Sequence, residues 1–256
     1  YHFEGMTSGT DPSTGFKRYQ EINRPRFKRR WTNAYAGFGR EGHQPDLEKD
    51  RGIVGRVLFI DYTTPREDRD AGSHAARREI ELVQSLGYKV TFLPQNLAHL
   101  GSYTDEMQNS GVEMVYAPFH LSVQEFLEKR AAEFDAVYIT RYYVAQETIH
   151  LIRKLNPRAR IILNNADLHF LRELRAALAA GDPDRLAAVR AVREQELEMM
   201  TAADLVLSYN EVEHAVIASH TEGRARVMTC PWVVHVPETV PPLKGRRGLS
   251  FLGSFN

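Results

Sequence analysis

The chain has 256 residues, 43% of them hydrophobic, and its 33 Lys and Arg balance its 33 Asp and Glu. This length accommodates one large or two small domains with a buried core. The zero formal net charge excludes a global attraction to nucleic acid, and no nucleic-acid partner is expected. The basic stretch from Arg24 to Arg30 is interpreted as a solvated helix face or linker, with a polyanion site as the alternative.

The single cysteine, Cys230, excludes a disulfide framework or a thiolate metal site within the chain. It favours a reducing compartment, and we expect a cytoplasmic location. No apolar run approaches the roughly 20 residues that span a bilayer, which leaves peripheral association with the inner face of the membrane open.

Residues 1–55 are rich in Gly, Pro, Arg and Asp and lack long apolar periodicity. Phe27, Trp31 and Tyr35 are spaced as one face of a short helix, and residues 37–55 are predicted to form a loop. We expect this segment to be an irregular N-terminal arm, the remnant of a preceding domain.

Residues 56–229 alternate between apolar strands and helices of 10–20 residues. Such spacing requires right-handed crossovers and a parallel sheet, so the predicted fold class is α/β, a Rossmann-like sheet with helices on both faces. Strands are predicted at 56–62, 88–93, 112–116, 135–140, 159–164, 204–208 and 225–229, and helices at 72–86, 121–134, 142–155, 168–180, 183–201 and 211–220.

Residues 230–256 have the composition of a linker, with four prolines between 230 and 248. The run from Leu249 to Phe255 is predicted to be the first strand of a second, missing domain. Because the chain also begins at Tyr1 rather than Met, we expect it to be part of a longer protein.

Ligands of open parallel sheets gather at the carboxyl ends of the strands. After the first strand, Gly72 and Ser73 begin a helix, whose free N–H groups suit a phosphate. The turn matches neither G-x-G-x-x-G nor the P-loop, so a plain helix start capped by Ser73 is the alternative. Asp68 and Asp70 are interpreted as local capping or solvated loop residues.

After the fourth strand, Arg141 precedes Tyr142 and Tyr143. The cation is suited to a phosphate or a sugar hydroxyl, and the tyrosines are suited to stacking on a sugar. The alternative is a surface arginine packed on its aromatic neighbours.

The fifth strand is followed by the densest polar cluster of the chain, which includes Asn165, Asp167 and His169. Asp167 is expected to cap the next helix. A neutral His169 can donate one hydrogen bond to a sugar hydroxyl or act as a base. The alternative is a capping box with a packed histidine. After the sixth strand, Asn210 and Glu213 are interpreted as a structural capping box.

The stretch from Arg56 to Asn256 resembles the N-terminal domain of group 1 (family four) GT-B glycosyltransferases, enzymes of bacterial surface polysaccharide synthesis. The segments that carry the resemblance are 68–73, 167–173 and 203–211, and 251–255 resembles the opening of the family's C-terminal, donor-binding domain. The segment from Tyr1 to Trp31 has a weaker similarity to the tail of a family two, GT-A-type glycosyltransferase domain, in which His2 and Glu4 would be stranded remnants.

The resemblance implies that the Gly72–Ser73 turn approaches the donor diphosphate, that His169 contacts the donor sugar near its reacting carbon, and that Asp167 orients it or the acceptor. Arg141 would border the acceptor. No metal and no cofactor are expected, with the nucleotide-sugar donor as co-substrate. The expected catalytic residues are His169 and Asp167, and the expected substrate-binding residues are Gly72, Ser73, Arg141 and Asn165.

The family's donor-gripping residues belong to the C-terminal domain, so we expect the chain alone to be inactive and to depend on that domain as a partner. The acceptor would be a saccharide or a lipid-linked saccharide. The main alternative function is a non-catalytic Rossmann-like binding or scaffold domain. A nucleotide-dependent oxidoreductase is not supported, because the turn after the first strand lacks the glycine fingerprint that binds a pyrophosphate. A receiver domain is not supported either, because it needs paired acidic residues at the end of the first strand and Asp61 has no acidic neighbour.

Overall fold

A computed structural model describes residues 9–40, 42–234, 238–240 and 242–249. The chain divides into two compact units, with the boundary along the sequence between Gly52 and Ile53. His2, Glu4 and all but the first residue of the predicted strand at 249–255 lie outside the described residues, and the expectations placed on them stay predictions.

The first unit contains short helices. A 3₁₀ turn at Gly15–Lys17 precedes the helices α1 (Arg18–Arg30), α2 (Thr32–Tyr35) and α3 (Pro45–Glu48). The three predicted aromatic residues do lie together: the ring of Phe27 is 6.2 Å from that of Trp31 and 6.3 Å from that of Tyr35. They do not belong to one helix as predicted, because α1 ends before Trp31 and Tyr35 belongs to α2. None of the residues of α1 or α2 is buried.

The second unit is a seven-stranded sheet in which every described strand pair is parallel, in the order β3-β2-β1-β4-β5-β6-β7. The predicted fold class is therefore confirmed. The strands are β1 (Arg56–Asp61), β2 (Lys89–Pro94), β3 (Glu113–Met114), β4 (Ala136–Thr140), β5 (Arg160–Asn164), β6 (Leu205–Ser208) and β7 (Val227–Thr229). The helices are α4 (Ala71–Ser85), α5 (Ser102–Asn109), α6 (Val123–Arg130), α7 (Tyr142–Leu155), α8 (His169–Ala180), α9 (Pro183–Ala202) and α10 (Glu211–His220).

The strand β1 shows why its apolar run lies in the centre of the sheet. All six of its residues are buried. Because side chains alternate along a strand, Leu58 and Ile60 join one hydrophobic cluster while Val57 and Phe59 join another. Helices cover both faces of the sheet, as expected for a strand that is apolar throughout.

Three helical segments differ from the prediction. The helix α3 lies within residues 37–55, which were predicted to form a loop. The helix α5 was not predicted, because its sequence is polar and only Thr104 and Met107 are buried. The predicted helix at 121–134 ends at Arg130 and continues as a 3₁₀ turn at Ala131–Glu133. Within the described ranges, no helix combines the length and apolar character needed to cross a bilayer.

The order of the strands creates a switch point. From β1 the chain proceeds outward to β2 and β3, whereas β4 returns to the other side of β1 and the chain continues to β7. Side chains that follow β1 and β4 therefore face each other at the carboxyl edge of the sheet, which is where open α/β sheets bind ligands.

Candidate functional site

A cleft of about 370 Å³ lies at this carboxyl edge. Four of the six predicted site residues line it, namely Gly72, Arg141, Asp167 and His169. The side chain of Asn165 is buried and donates a hydrogen bond to Glu213 (3.2 Å), so the structure turns it away from this lining. The other lining residues are Ala76, Glu79, Thr140, Tyr143, Asn164, Ala166, Arg172, Tyr209 and Trp232.

The helix α4 begins at the cleft with an internal cap. Asp70 accepts hydrogen bonds from the backbone N–H of Ser73 (2.7 Å) and from its hydroxyl (2.8 Å). Ser73 is buried, and neither of its donors remains available to a phosphate. The N–H groups of Ala71 and Gly72 have no hydrogen-bond partner within the described part of the chain. Only those two N–H groups of the turn are thus available to bind a phosphate.

Arg141 is held by an ion pair. Its guanidinium contacts the carboxylate of Asp61, the last residue of β1, and its backbone N–H donates to the carbonyl of Asn164 (3.0 Å). Burial lowers the pKa of the guanidinium, and Asp61 more than offsets this, so the net shift is upward. A Cβ on Gly72 would lie 3.6 Å from Nη2 of Arg141. The cation therefore stands directly beside the start of α4.

The turn after β5 is built from local hydrogen bonds. The side-chain carbonyl of Asn164 accepts from the N–H of Ala166 (3.0 Å), and the backbone carbonyl of Asn165 accepts from the N–H of Asp167 (2.7 Å). Ala166 takes a left-handed conformation with φ of 60°. This turn carries Asp167 and His169 into the cleft.

His169 is 9% exposed and lies against the edges of two aromatic rings, with ring centroids 5.2 Å from Tyr142 and 5.7 Å from Tyr143. Its Nδ1 lies 3.1 Å from the backbone carbonyl of Asp167 and 3.5 Å from the Asp167 carboxylate. Nε2 makes no hydrogen bond within the described ranges. If Nδ1 carries the proton and donates to Asp167, Nε2 is an acceptor for a ligand hydroxyl.

The expectation that Asp167 caps α8 is wrong. The carboxylate of Asp167 contacts Arg172 and accepts no hydrogen bond from the first turn of the helix. Glu196 of α9 caps it instead, because its two oxygens accept from the N–H groups of His169 (3.1 Å) and Phe170 (2.9 Å). Glu196 lies 27 residues further along the chain from His169, too far for a local capping pattern to indicate it.

Glu79 of α4 is a site residue that sequence reasoning missed. It is 7% exposed, and its carboxylate accepts hydrogen bonds from the hydroxyls of Tyr138 (2.9 Å) and Tyr209 (3.1 Å) and from the side-chain amide of Asn164. Burial raises the pKa of the carboxyl, and these hydrogen bonds offset only part of that shift. Its position next to Ile80, on the apolar face of the helix, is the sequence signal that could have revealed it.

A further acid, Asp61, adjoins the cleft through its ion pair with Arg141, and burial raises the pKa of its carboxyl as well, against the opposing effect of Arg141. Within the described residues, no group of three or more His, Cys, Asp or Glu side chains is arranged to hold a metal ion. The chemistry that the cleft itself offers is thus a cation, an imidazole, a half-buried carboxylate and free helix N–H groups.

No family model matches the chain, and no curated protein matches it in sequence. Among solved structures it resembles sucrose-phosphate synthase from Thermosynechococcus elongatus, at 10% identity and a TM-score of 0.46. It also resembles UGT73P12 from Glycyrrhiza uralensis, complexed with glycyrrhetinic acid 3-O-monoglucuronide, at 13% identity and a TM-score of 0.43. Each alignment covers 69% of this chain and 48% of the other, so the chain spans about half the length of either protein.

Proposed function

We propose that the second unit is the N-terminal lobe of a two-domain GT-B glycosyltransferase that moves a sugar from a nucleotide-sugar donor to a saccharide or lipid-linked acceptor. The observation that carries the proposal is the meeting of Arg141, Asp167 and His169 in one cleft at the switch point of the sheet. These residues come from the ends of two neighbouring strands, and the resemblance to group 1 enzymes gives each of them a role in sugar transfer.

The proposed roles of the cleft residues are as follows. Nε2 of His169 meets the donor sugar, and Asp167 orients both the imidazole and a substrate hydroxyl. Arg141 borders the acceptor, on the side where its guanidinium adjoins Gly72. Donor phosphate contacts from this lobe come from the N–H of Gly72 rather than from Ser73, whose donors Asp70 already occupies. A second lobe supplies most of the donor contacts, so this chain alone binds weakly.

The first unit suggests where the enzyme works. Between Gly15 and Arg40 the chain has eight Lys and Arg against one Glu. Seven large hydrophobic side chains are exposed over the same stretch, namely Phe16, Tyr19, Ile22, Phe27, Trp31, Tyr35 and Phe38. Exposed aromatic and basic residues together are typical of segments that bind anionic lipid surfaces. We therefore propose that the protein acts in the bacterial cytoplasm at the inner face of the membrane, in surface polysaccharide synthesis.

The test is a titration of the isotope-labelled chain with a panel of nucleotide diphosphate sugars and oligosaccharides, followed by NMR. We expect millimolar affinity and shift changes centred on the cleft, since half the contacts to a tight ligand are missing and each 1.4 kcal/mol lost weakens binding about tenfold. Transfer activity is expected once the second lobe is supplied.

Low-micromolar binding of a nicotinamide dinucleotide in the same cleft would replace the proposal with an oxidoreductase. Binding of a saccharide without transfer, in the presence of the second lobe, would favour the non-catalytic binding domain. Shift changes that avoid Arg141 and His169 for every sugar ligand would remove the basis of the proposal.

A further inference from the structure

The carboxylate of Glu79 has an unusual set of partners for a buried acid. It is 7% exposed and accepts from two tyrosine hydroxyls and one amide, and no cation contacts it within the described part of the chain. A buried charge without a cation costs free energy that an apolar residue at the same point would avoid. We therefore look for a role of the Glu79 carboxylate other than packing between α4 and the sheet.

The hydrogen bonds of Glu79 lead directly to the turn after β5. Nδ2 of Asn164 donates to the two carboxylate oxygens at 3.2 and 3.1 Å. The other end of the same amide, Oδ1 of Asn164, accepts from the N–H of Ala166 at 3.0 Å. Because an ionised carboxylate is an acceptor only, it favours the amide orientation that points Nδ2 inward and Oδ1 towards Ala166.

The turn continues from Ala166 to the imidazole. The N–H of Ala166 is fixed while its backbone holds a left-handed φ of 60°, which L-residues rarely adopt. The next residue, Asp167, then presents its carbonyl to Nδ1 of His169 at 3.1 Å. A change at Asn164 therefore alters both the turn and the direction of the ring.

We propose that Glu79 is a positioning residue, which holds the 164–169 turn through Asn164 in the conformation that presents Asp167 and His169 to the cleft. Its effect on sugar transfer rests on the proposed function, whereas its effect on the turn does not. Tyr209 strengthens the arrangement, because its hydroxyl donates to Glu79 and also receives a hydrogen bond from Asn164 Nδ2 (3.0 Å).

Amide hydrogen exchange of the folded chain tests the first step. In Glu79→Leu, the Asn164 amide loses both carboxylate acceptors and keeps only the hydroxyl of Tyr209. We expect the N–H of Ala166 to exchange up to about tenfold faster, the effect of losing one hydrogen bond. The N–H of Val137, in the centre of β4, reports any general loss of stability. If Glu79 is a positioning residue, the N–H of Ala166 exchanges faster relative to that of Val137. If its role is merely structural, the exchange rates of both N–H groups rise by the same factor.

Two further variants sharpen the result. Glu79→Gln keeps one oxygen for Asn164, so Ala166 protection should return to near the wild-type value. Glu81→Leu is the matched control, because Glu81 lies on the same helix and pairs with Arg77 and Arg78 at the surface. It should leave the ratio of the two exchange rates unchanged.

An unchanged Ala166-to-Val137 ratio in a folded Glu79→Leu would overturn the proposal. If that variant does not fold, exchange of the Asn164 side-chain amide protons is measured in the wild-type chain. Slow exchange is expected, and fast exchange would contradict the hydrogen bonds to Glu79 and overturn the proposal. In the transfer assay, Glu79→Leu should lower kcat with little change in KM. If the exchange rates behave as expected but the wild type shows no transfer even with the second lobe supplied, the proposed function is refuted and the positioning role remains.

Discussion

Replacing Glu196 by alanine should destabilise the second unit strongly, because this side chain is the N-terminal cap of α8. It is 1% exposed, and its two oxygens accept from the N–H groups of His169 and Phe170 at 3.1 and 2.9 Å. Both donors belong to buried residues, so water cannot fully replace the lost acceptor.

The magnitude follows from the two hydrogen bonds. Each bond to a charged group contributes about 1.5–3 kcal/mol, and relief from burying the carboxylate offsets part of the sum. A net loss of about 3 kcal/mol in the free energy of unfolding is expected, which lowers Tm by about 6–12 °C for a unit of roughly 200 residues. Glu196→Gln keeps one strong acceptor and should lose about half as much.

Thermal unfolding followed by circular dichroism measures these differences. The matched control is Glu198→Ala, which removes an exposed carboxylate from the same helix and should change the free energy of unfolding by no more than about 0.5 kcal/mol. If Glu196→Ala has the same Tm as Glu198→Ala, another acceptor must bind the first N–H groups of α8, and the reasoning is refuted.

Three further predictions concern pH, turnover and membrane binding. Burial raises the pKa of Glu79 and Asp61, so each of these two carboxyls contributes stability that is lost as the pH rises above about 4; in urea unfolding, stability should fall less with rising pH in Glu79→Gln than in the wild type, and equal slopes would contradict this. With the second lobe present, His169→Ala should lower kcat by about a hundredfold with little change in Tm; the reverse result marks a packed histidine. Replacing Lys28–Arg30 by glutamines should weaken binding to anionic vesicles by roughly a hundredfold, at about 1 kcal/mol per cation, and unchanged sedimentation would refute the membrane site.

The features that depend on neighbouring residues were predictable from the sequence. The strands of the sheet were predicted from apolar runs such as the one that begins at Arg56, because a strand that is buried on both faces consists almost entirely of apolar residues. The N-cap of α10 was predicted from a three-residue spacing, and the side chain of Asn210 does accept from the N–H of Glu213 at 2.8 Å. The other half of the predicted capping box is not seen in the described part of the chain, because the carboxylate of Glu213 accepts from Asn165. Both signals lie within a few residues of the element that they specify.

The features that the sequence did not reveal depend on residues far apart. Asp167 has the right type and position for a cap, yet Glu196 takes that role because packing of α9 on α8 brings its carboxylate to the helix end. Glu79 meets Asn164 across 85 residues of sequence. No local spacing specifies such contacts, so only the folded chain shows which of several suitable acids reaches the site.

The backbone at the cleft gives independent support for a functional edge. Two of the five described non-glycine residues with positive φ are Arg141, at 76°, and Ala166, at 60°. They follow adjacent strands, and the N–H of Arg141 donates to the carbonyl of Asn164. Each such conformation costs about 1–3 kcal/mol and persists only where surrounding contacts enforce it. Glycine would remove the strain at Arg141 but also the cation, so the strained conformation is expected if this cation binds a ligand in the proposed site.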